Sequence, residues 1–88
     1  MHFEWDPAKQ RANLRKHAVE LGDAVAIFHD PRALTVEDRA HDEQRFVAIG
    51  MDAFGRILVV AYIYREPDTI RIISARKADA SERKQYES

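Results

Sequence analysis

Arg71-Ile72-Ile73-Ser74-Ala75-Arg76-Lys77-Ala78, followed by Glu82-Arg83 and Tyr86, holds the densest set of side chains with chemistry to offer. A β-branched run ends in a basic doublet and opens at once into a short helix. Strands fix side-chain direction and helix N-terminal amides attract negative charge, so this junction suits a polyanion. Arginine offers a planar fork of donors that matches phosphate, whereas lysine, histidine and tyrosine can move protons. Arg83 and Tyr86, three apart, face one way on the last helix, where one phosphate would meet several of these groups together. The plainer reading of such charges is a solvated face, because exposed ion pairs contribute little.

Two further groups compete. Lys16-His17 closes the first helix, where the macrodipole favours a cation; His17 is also the usual proton carrier near neutrality. Asp38-Arg39-Ala40-His41-Asp42 offers carboxylates and an imidazole in one loop, but its spacing matches no established metal-ligand motif and suits a turn that satisfies its own backbone. With no cysteine, thiolate metal sites and disulfides are excluded. The chain has no glycine-rich phosphate loop and no serine elbow, which argues against nucleotide-driven motors and acyl transfer.

These residues must be positioned by a small scaffold. The 88 residues form one domain (1–88), small enough to bury only about 60–65% of its unfolded surface, so a partner is expected to add stability. A content of 45% hydrophobic and 33% charged residues is that of an ordinary globular protein. No apolar run reaches a membrane-spanning length and the N-terminus has no signal-like pattern, so a cytoplasmic location is expected. The net charge of −1 argues against a general nucleic-acid coat. Acids crowd the middle of the chain, however, and cations gather early (Arg11, Arg15, Lys16) and late, where they can share a face.

Phe3–Trp5 reads as a short strand. Asp6-Pro7 then caps a helix running to about His17. Leu21, Ala24, Val25 and Phe28 recur at helical spacing and give a second, core-facing helix that stops at Asp30-Pro31. Leu34–Val36 is weakly strand-like; Arg45–Met51 and Ile57–Tyr64 form a hairpin about Asp52-Ala53-Phe54-Gly55. A turn at Glu66-Pro67-Asp68 leads to a strand over Thr69–Ala75, and Asp79 with Glu82 forms a capping box for a last helix. The order β-α-α-β-β-β-β-α predicts an α+β domain with an antiparallel sheet and helices on one face. Ile57, Val59, Ala61 and Ile63 line one side of their strand and Leu58, Val60, Tyr62 and Tyr64 the other. Both sides are apolar, so the second is buried within the domain or by a partner.

From end to end the chain resembles the BrnT family of type II toxins, with a fold akin to the RelE ribonuclease toxins. The residues that carry the resemblance are Phe3-Glu4-Trp5-Asp6 with Lys9, Asn13, Lys16-His17, Phe28, Asp30-Pro31, Asp38, His41, Arg45, Ile49-Gly50, Gly55-Arg56, Arg65, Arg71 through Ala78, Glu82-Arg83 and Tyr86. Ala18 departs from the family pattern, which usually has glycine after Lys-His, and Leu21 stands where that pattern usually has an aromatic. The resemblance implies a cofactor-free, metal-independent endoribonuclease that inhibits translation and growth, and whose 2′-hydroxyl chemistry leaves cyclic or 3′-phosphate ends. It also implies a DNA-binding antitoxin of the BrnA type, paired in a heterotetramer that represses its own operon and meets operator DNA only through the antitoxin. By analogy Lys16, His17, Arg65, Arg76 and Tyr86 would be catalytic and Arg71, Lys77 and Arg83 would bind RNA. Tyr62 and Tyr64 would anchor the antitoxin. The rival class is a non-catalytic antitoxin-binding module that acts as a co-repressor.

Overall fold

A computed structural model describes residues 1–40 and 42–88; His41, the imidazole of the Asp38–Asp42 segment considered for a metal, lies outside the described residues. The elements are β1 (His2–Glu4), α1 (Pro7–His17), a 3₁₀ segment (Leu21–His29), β2 (Leu34–Asp38), β3 (Arg45–Met51), β4 (Ile57–Arg65), β5 (Thr69–Lys77) and α2 (Ala80–Glu87). One five-stranded sheet runs β1-β5-β4-β3-β2. It is antiparallel over β2 to β5, and β1 joins the edge of β5 in parallel. No helix among the described residues is long and apolar enough to cross a membrane.

Local chemistry accounts for the ends of the elements. Asp6 caps α1 by accepting the Ala8 N–H at 2.8 Å, with Pro7 in the first helical position. Asp79 and Glu82 exchange hydrogen bonds of 2.8 and 2.9 Å in a complete capping box. Ala18 ends α1 in the left-handed region at φ 57°.

The expected second α-helix is instead a 3₁₀ helix. Its innermost residues are Leu21, Ala24 and Ile27, each fully buried and three positions apart, the period at which 3₁₀ side chains eclipse. Val25 and Phe28, which an α-helical stripe would bury, are only half-buried. Both periods pass through apolar residues here, so the sequence permits either. The choice falls to packing against β3, where Gly50 lets the segment approach so closely that a Cβ would lie 2.9 Å from that of Ile27.

The core lies between this segment and one face of the sheet, formed by Ala48, Leu58, Val60, Ile70, Ile72 and Ala75 with Val19, Leu21, Ala24 and Ile27. Ile73 is an extra residue in β5, since Ala61 pairs with Ser74 and Tyr62 with Ile72. That bulge keeps Ile72 and Ala75 both turned inward. Leu58, Val60 and Tyr62 therefore line the covered face, so that of the two expected ways of burying this side it is the domain itself that covers it. The opposite face is sealed at its centre by Val59 and Ile63 and opens toward β2, where Val36 is 65% exposed and Leu34 and Met51 are also exposed.

Candidate functional site

Consecutive strand residues point to opposite faces, and β5 extends through Lys77. Arg76, opposite Val59, therefore lies on the face away from the core, and Lys77, opposite Leu58, lies on the other. The basic doublet is thus a pair of strand residues that diverge. Their expected joint grip on one phosphate splits into two sites.

Arg76 meets α2. Its Nη1 and Nη2 donate to the two carboxylate oxygens of Glu82 at 2.7 and 2.8 Å, a fork-on-fork pair. The Arg76 hydrogen bonds hold the Glu82 carboxyl down to about 2, and the same bonds raise the Arg76 pKa. At the far end of α2 the buried Tyr86 donates its hydroxyl proton to Asp30 Oδ2 at 2.6 Å. That oxygen also accepts the Met51 N–H, and Asp30 Oδ1 accepts the Arg32 N–H. Desolvation works against ionisation of Asp30, but these donors outweigh it and its pKa falls below the usual range. The Asp30 carboxylate, foremost through its hydrogen bond, pushes the Tyr86 pKa up, so the phenol is a poorer acid than usual. Arg32 caps the Tyr86 ring 5.7 Å from its centroid.

Lys16 and His17 reach the same strand from α1. With Lys9 and Asn13 they border a cavity of about 190 Å³ whose floor is Ile73 and Ser74. Ser74, opposite Ala61, shares a face with Arg76 and lies about 7 Å from it along the strand. An imidazole, an ammonium and a guanidinium are thus brought to one strip. α1 is placed there by Asn13, whose amide donates to the Val19 and Ala75 carbonyls at 2.8 Å each and accepts the Ala75 N–H at 3.1 Å.

Other expected residues do not join this strip. Arg65 pairs with Thr69 at the opposite end of the β4–β5 hairpin, and from Val59 to Arg65 the strand advances about 20 Å, so Arg65 and Arg76 cannot hold one phosphate. Antiparallel register separates what the analogy grouped. Arg71, opposite Ile63, is near that far end and hydrogen-bonds Glu4 on β1. Lys77 and Arg83 line a separate groove with Arg56, so Arg83 and Tyr86 serve different places despite sharing α2. Tyr62 is half-buried between Phe28 and Phe46, with ring centroids at 4.9 and 5.5 Å, packs against the core, and has its pKa pushed up by burial. Tyr64 is exposed, its hydroxyl donating to the Pro67 carbonyl.

In the sequence Asp30 marks a helix stop and Glu82 a cap, and both belong to the family resemblance, but neither role announces the side chain it meets. Asp30 and Tyr86 lie 56 positions apart, too far for any spacing rule. Glu82 carried a signal, since a carboxylate six positions after a strand-end arginine can fold back onto it.

A family profile described as "Ribonuclease toxin, BrnT, of type II toxin-antitoxin system" matches residues 5–82. Among solved structures, the 1.1 Å crystal structure of the Brucella abortus ribonuclease toxin BrnT superposes with a TM-score of 0.73 at 25% sequence identity, covering 90% of this chain and 97% of that one. Comparison with curated protein sequences returned no match.

Proposed function

This chain belongs to the BrnT family, the ribonuclease toxins of type II toxin–antitoxin systems, and on that premise we propose that it cleaves RNA by metal-independent attack of the ribose 2′-hydroxyl. The observation that carries this reading is the Arg76 fork. Glu82 meets it with two oxygens, much as a phosphate would, beside a strip that also offers His17 and Lys16. In the reaction the 2′-oxygen bonds to phosphorus and the P–O5′ bond breaks. One proton leaves the 2′-hydroxyl and one reaches the 5′-oxygen, giving a 2′,3′-cyclic phosphate, or a 3′-phosphate after hydrolysis, and a 5′-hydroxyl. His17 or Lys16 moves protons and Arg76 stabilises charge on the phosphoryl oxygens. Tyr86 supports the phosphate side of the site through Asp30. Lys77 and Arg83 position the RNA, and Arg65 and Arg71 contact it further along.

A type II toxin has an antitoxin partner. In our reading it is a DNA-binding protein of the BrnA type, which joins the toxin in a heterotetramer and represses their operon in the cytoplasm. The exposed Leu34, Val36 and Met51 offer it an apolar surface, and Tyr64 remains reachable at the end of β4.

The test uses purified, antitoxin-free protein with RNA in EDTA. Wild type cuts and leaves cyclic or 3′-phosphate ends, and Arg76→Ala lowers the rate about 100-fold or more while circular dichroism shows the sheet intact. A strict magnesium requirement with 3′-hydroxyl ends, or full activity of the variant, overturns the mechanism. Absence of cleavage under all conditions with tight antitoxin binding favours the co-repressor class.

A further inference from the structure

Gly55 turns the β3–β4 hairpin at φ +81°, and the residue before it, Phe54, is 72% exposed, more than any other large apolar side chain described. Much is built to hold it there. Asp52, only 6% exposed, accepts the Phe54 and Arg56 N–H groups on Oδ1 at 3.0 and 2.8 Å and the Arg56 Nε on Oδ2 at 2.8 Å. Burying a carboxylate is costly unless its oxygens are satisfied, and here every bond it makes goes to the tip. Arg56, fixed also by Asp23, sets its guanidinium 5.5 Å from the Phe54 ring centroid. One face of an aromatic ring is thereby occupied by a cation, and the other is presented to solvent on a rigid turn.

Directly behind the tip lies a groove of about 310 Å³, bordered by Gly55, Arg56, Lys77 and Arg83. Asp52 and Asp23 neutralise Arg56, but among the described residues Lys77 has no ion-pair partner and the Arg83 guanidinium bonds only to the Ala78 carbonyl. The groove therefore carries unspent positive charge beside a stacking platform, the combination by which proteins hold single-stranded nucleic acid. It lies on the side of β5 opposite to Arg76.

We propose that the hairpin tip is a second RNA-contact site, distinct from the Arg76 strip, in which an unpaired base stacks on Phe54 and the adjoining phosphate sits between Lys77 and Arg83. The site selects single-stranded over duplex RNA, because a base inside a duplex is stacked on both faces by its neighbours and offers none to Phe54. The inference rests on RNA being the substrate, but it concerns binding and not cleavage.

The experiment measures the affinity of full-length, antitoxin-free toxin for a single-stranded RNA oligonucleotide with 2′-O-methyl groups throughout, which cannot be cut, and for the same sequence as a duplex. Phe54→Ala should weaken single-strand binding about 10-fold, with an unchanged melting temperature and little effect on the duplex. Phe54→Trp should restore binding, and Lys77→Ala should weaken it and flatten its salt dependence. Wild-type affinity for the oligonucleotide in Phe54→Ala, or no recovery in Phe54→Trp, overturns the site. A Phe54→Ala variant that loses antitoxin instead of RNA assigns the platform to a protein, and a wild type with no measurable affinity also ends the proposal. Wild type that binds as described but never cleaves RNA supports the tip and sinks only the proposed chemistry.

Discussion

Ala75 and Arg76 are neighbours on one strand, yet they attach the two helices by opposite means. At Ala75, α1 is held by an uncharged amide, Asn13, that is buried and pairs with backbone groups on both sides. At Arg76, α2 is held by charge, through a carboxylate whose partner guanidinium is 42% exposed. A neutral buried bond is insensitive to salt and pH and has no competitor in solution. A half-exposed ion pair is sensitive to both, and any phosphate that reaches Arg76 competes with Glu82 for the same fork. The difference teaches which attachment is scaffold and which is exchangeable: α1 is fixed with Lys16 and His17 beside Ser74, whereas the hold of α2 on Arg76 is one that an anion such as the proposed substrate phosphate can displace.

The largest effect expected from breaking this contrast is at Asn13. Asn13→Ala strips partners from the Ala75 N–H and from two buried carbonyls, which should cost about 3 kcal/mol and lower the melting temperature by roughly 10–20 °C in a domain this small. Asn13→Asp should be at least as damaging, because a carboxylate has no proton to offer the Val19 and Ala75 carbonyls. Thermal melts decide it. A loss below about 1 kcal/mol in Asn13→Ala would mean that water replaces the amide and that α1 is no more firmly fixed than α2.

A smaller, pH-dependent effect belongs to Glu82. Its carboxyl pKa is depressed from 4.5 to about 2 in the folded protein, so its contribution is complete above about 4.5 and fades as pH falls from there through 2. Amide exchange in α2 should accelerate over that window while amides near Asn13 hold. Glu82→Gln keeps the bond to the Asp79 N–H, since glutamine also serves a capping box, but it removes the charge. The variant should lose that pH dependence and bind RNA a few-fold more tightly, because Arg76 is released to phosphate. Weaker RNA binding in Glu82→Gln would show that the carboxylate aims Arg76 instead of competing for it.

The same contrast explains what could be read from the sequence. The Asp6-Pro7 start, the 52–55 turn and the Asp79–Glu82 box were legible, because each is decided within a few residues by capping or turn chemistry. The α+β class followed from their order. What was hidden depends on register and distance. Ending the last strand at Ala75 merged Arg76 and Lys77 into one site, and two more strand residues send them to opposite faces. Arg65 looked like a partner of Arg76 until pairing with Thr69 placed it at the other end of the hairpin. Asn13 reaches Ala75 across 62 positions, and no period or motif announces such a contact. The BrnT resemblance was legible because it draws on residues along the whole chain, but it conveyed membership of the family and not which of those residues meet.

The smallest effect concerns the turn that carries His17. Ala18 sits at φ 57°, ψ 31°, donating its N–H to the Leu14 carbonyl at 2.9 Å, and it is the only non-glycine residue described with a positive φ. A Cβ in that region crowds the backbone by roughly 1 kcal/mol, and glycine, the residue that the family resemblance places there, relieves it. Glycine also gains freedom in the unfolded chain, so the net benefit of Ala18→Gly should be about 0.5 kcal/mol, a rise of a few degrees in melting temperature. The gain should appear equally at low and high salt, because it acts on the neutral attachment and leaves the Arg76–Glu82 pair alone. A fall in melting temperature would mean that the α1 end tolerates its left-handed alanine without strain. A gain that disappeared in high salt would mean that the two helices are coupled, and that the separation of a fixed α1 from an exchangeable α2 is wrong.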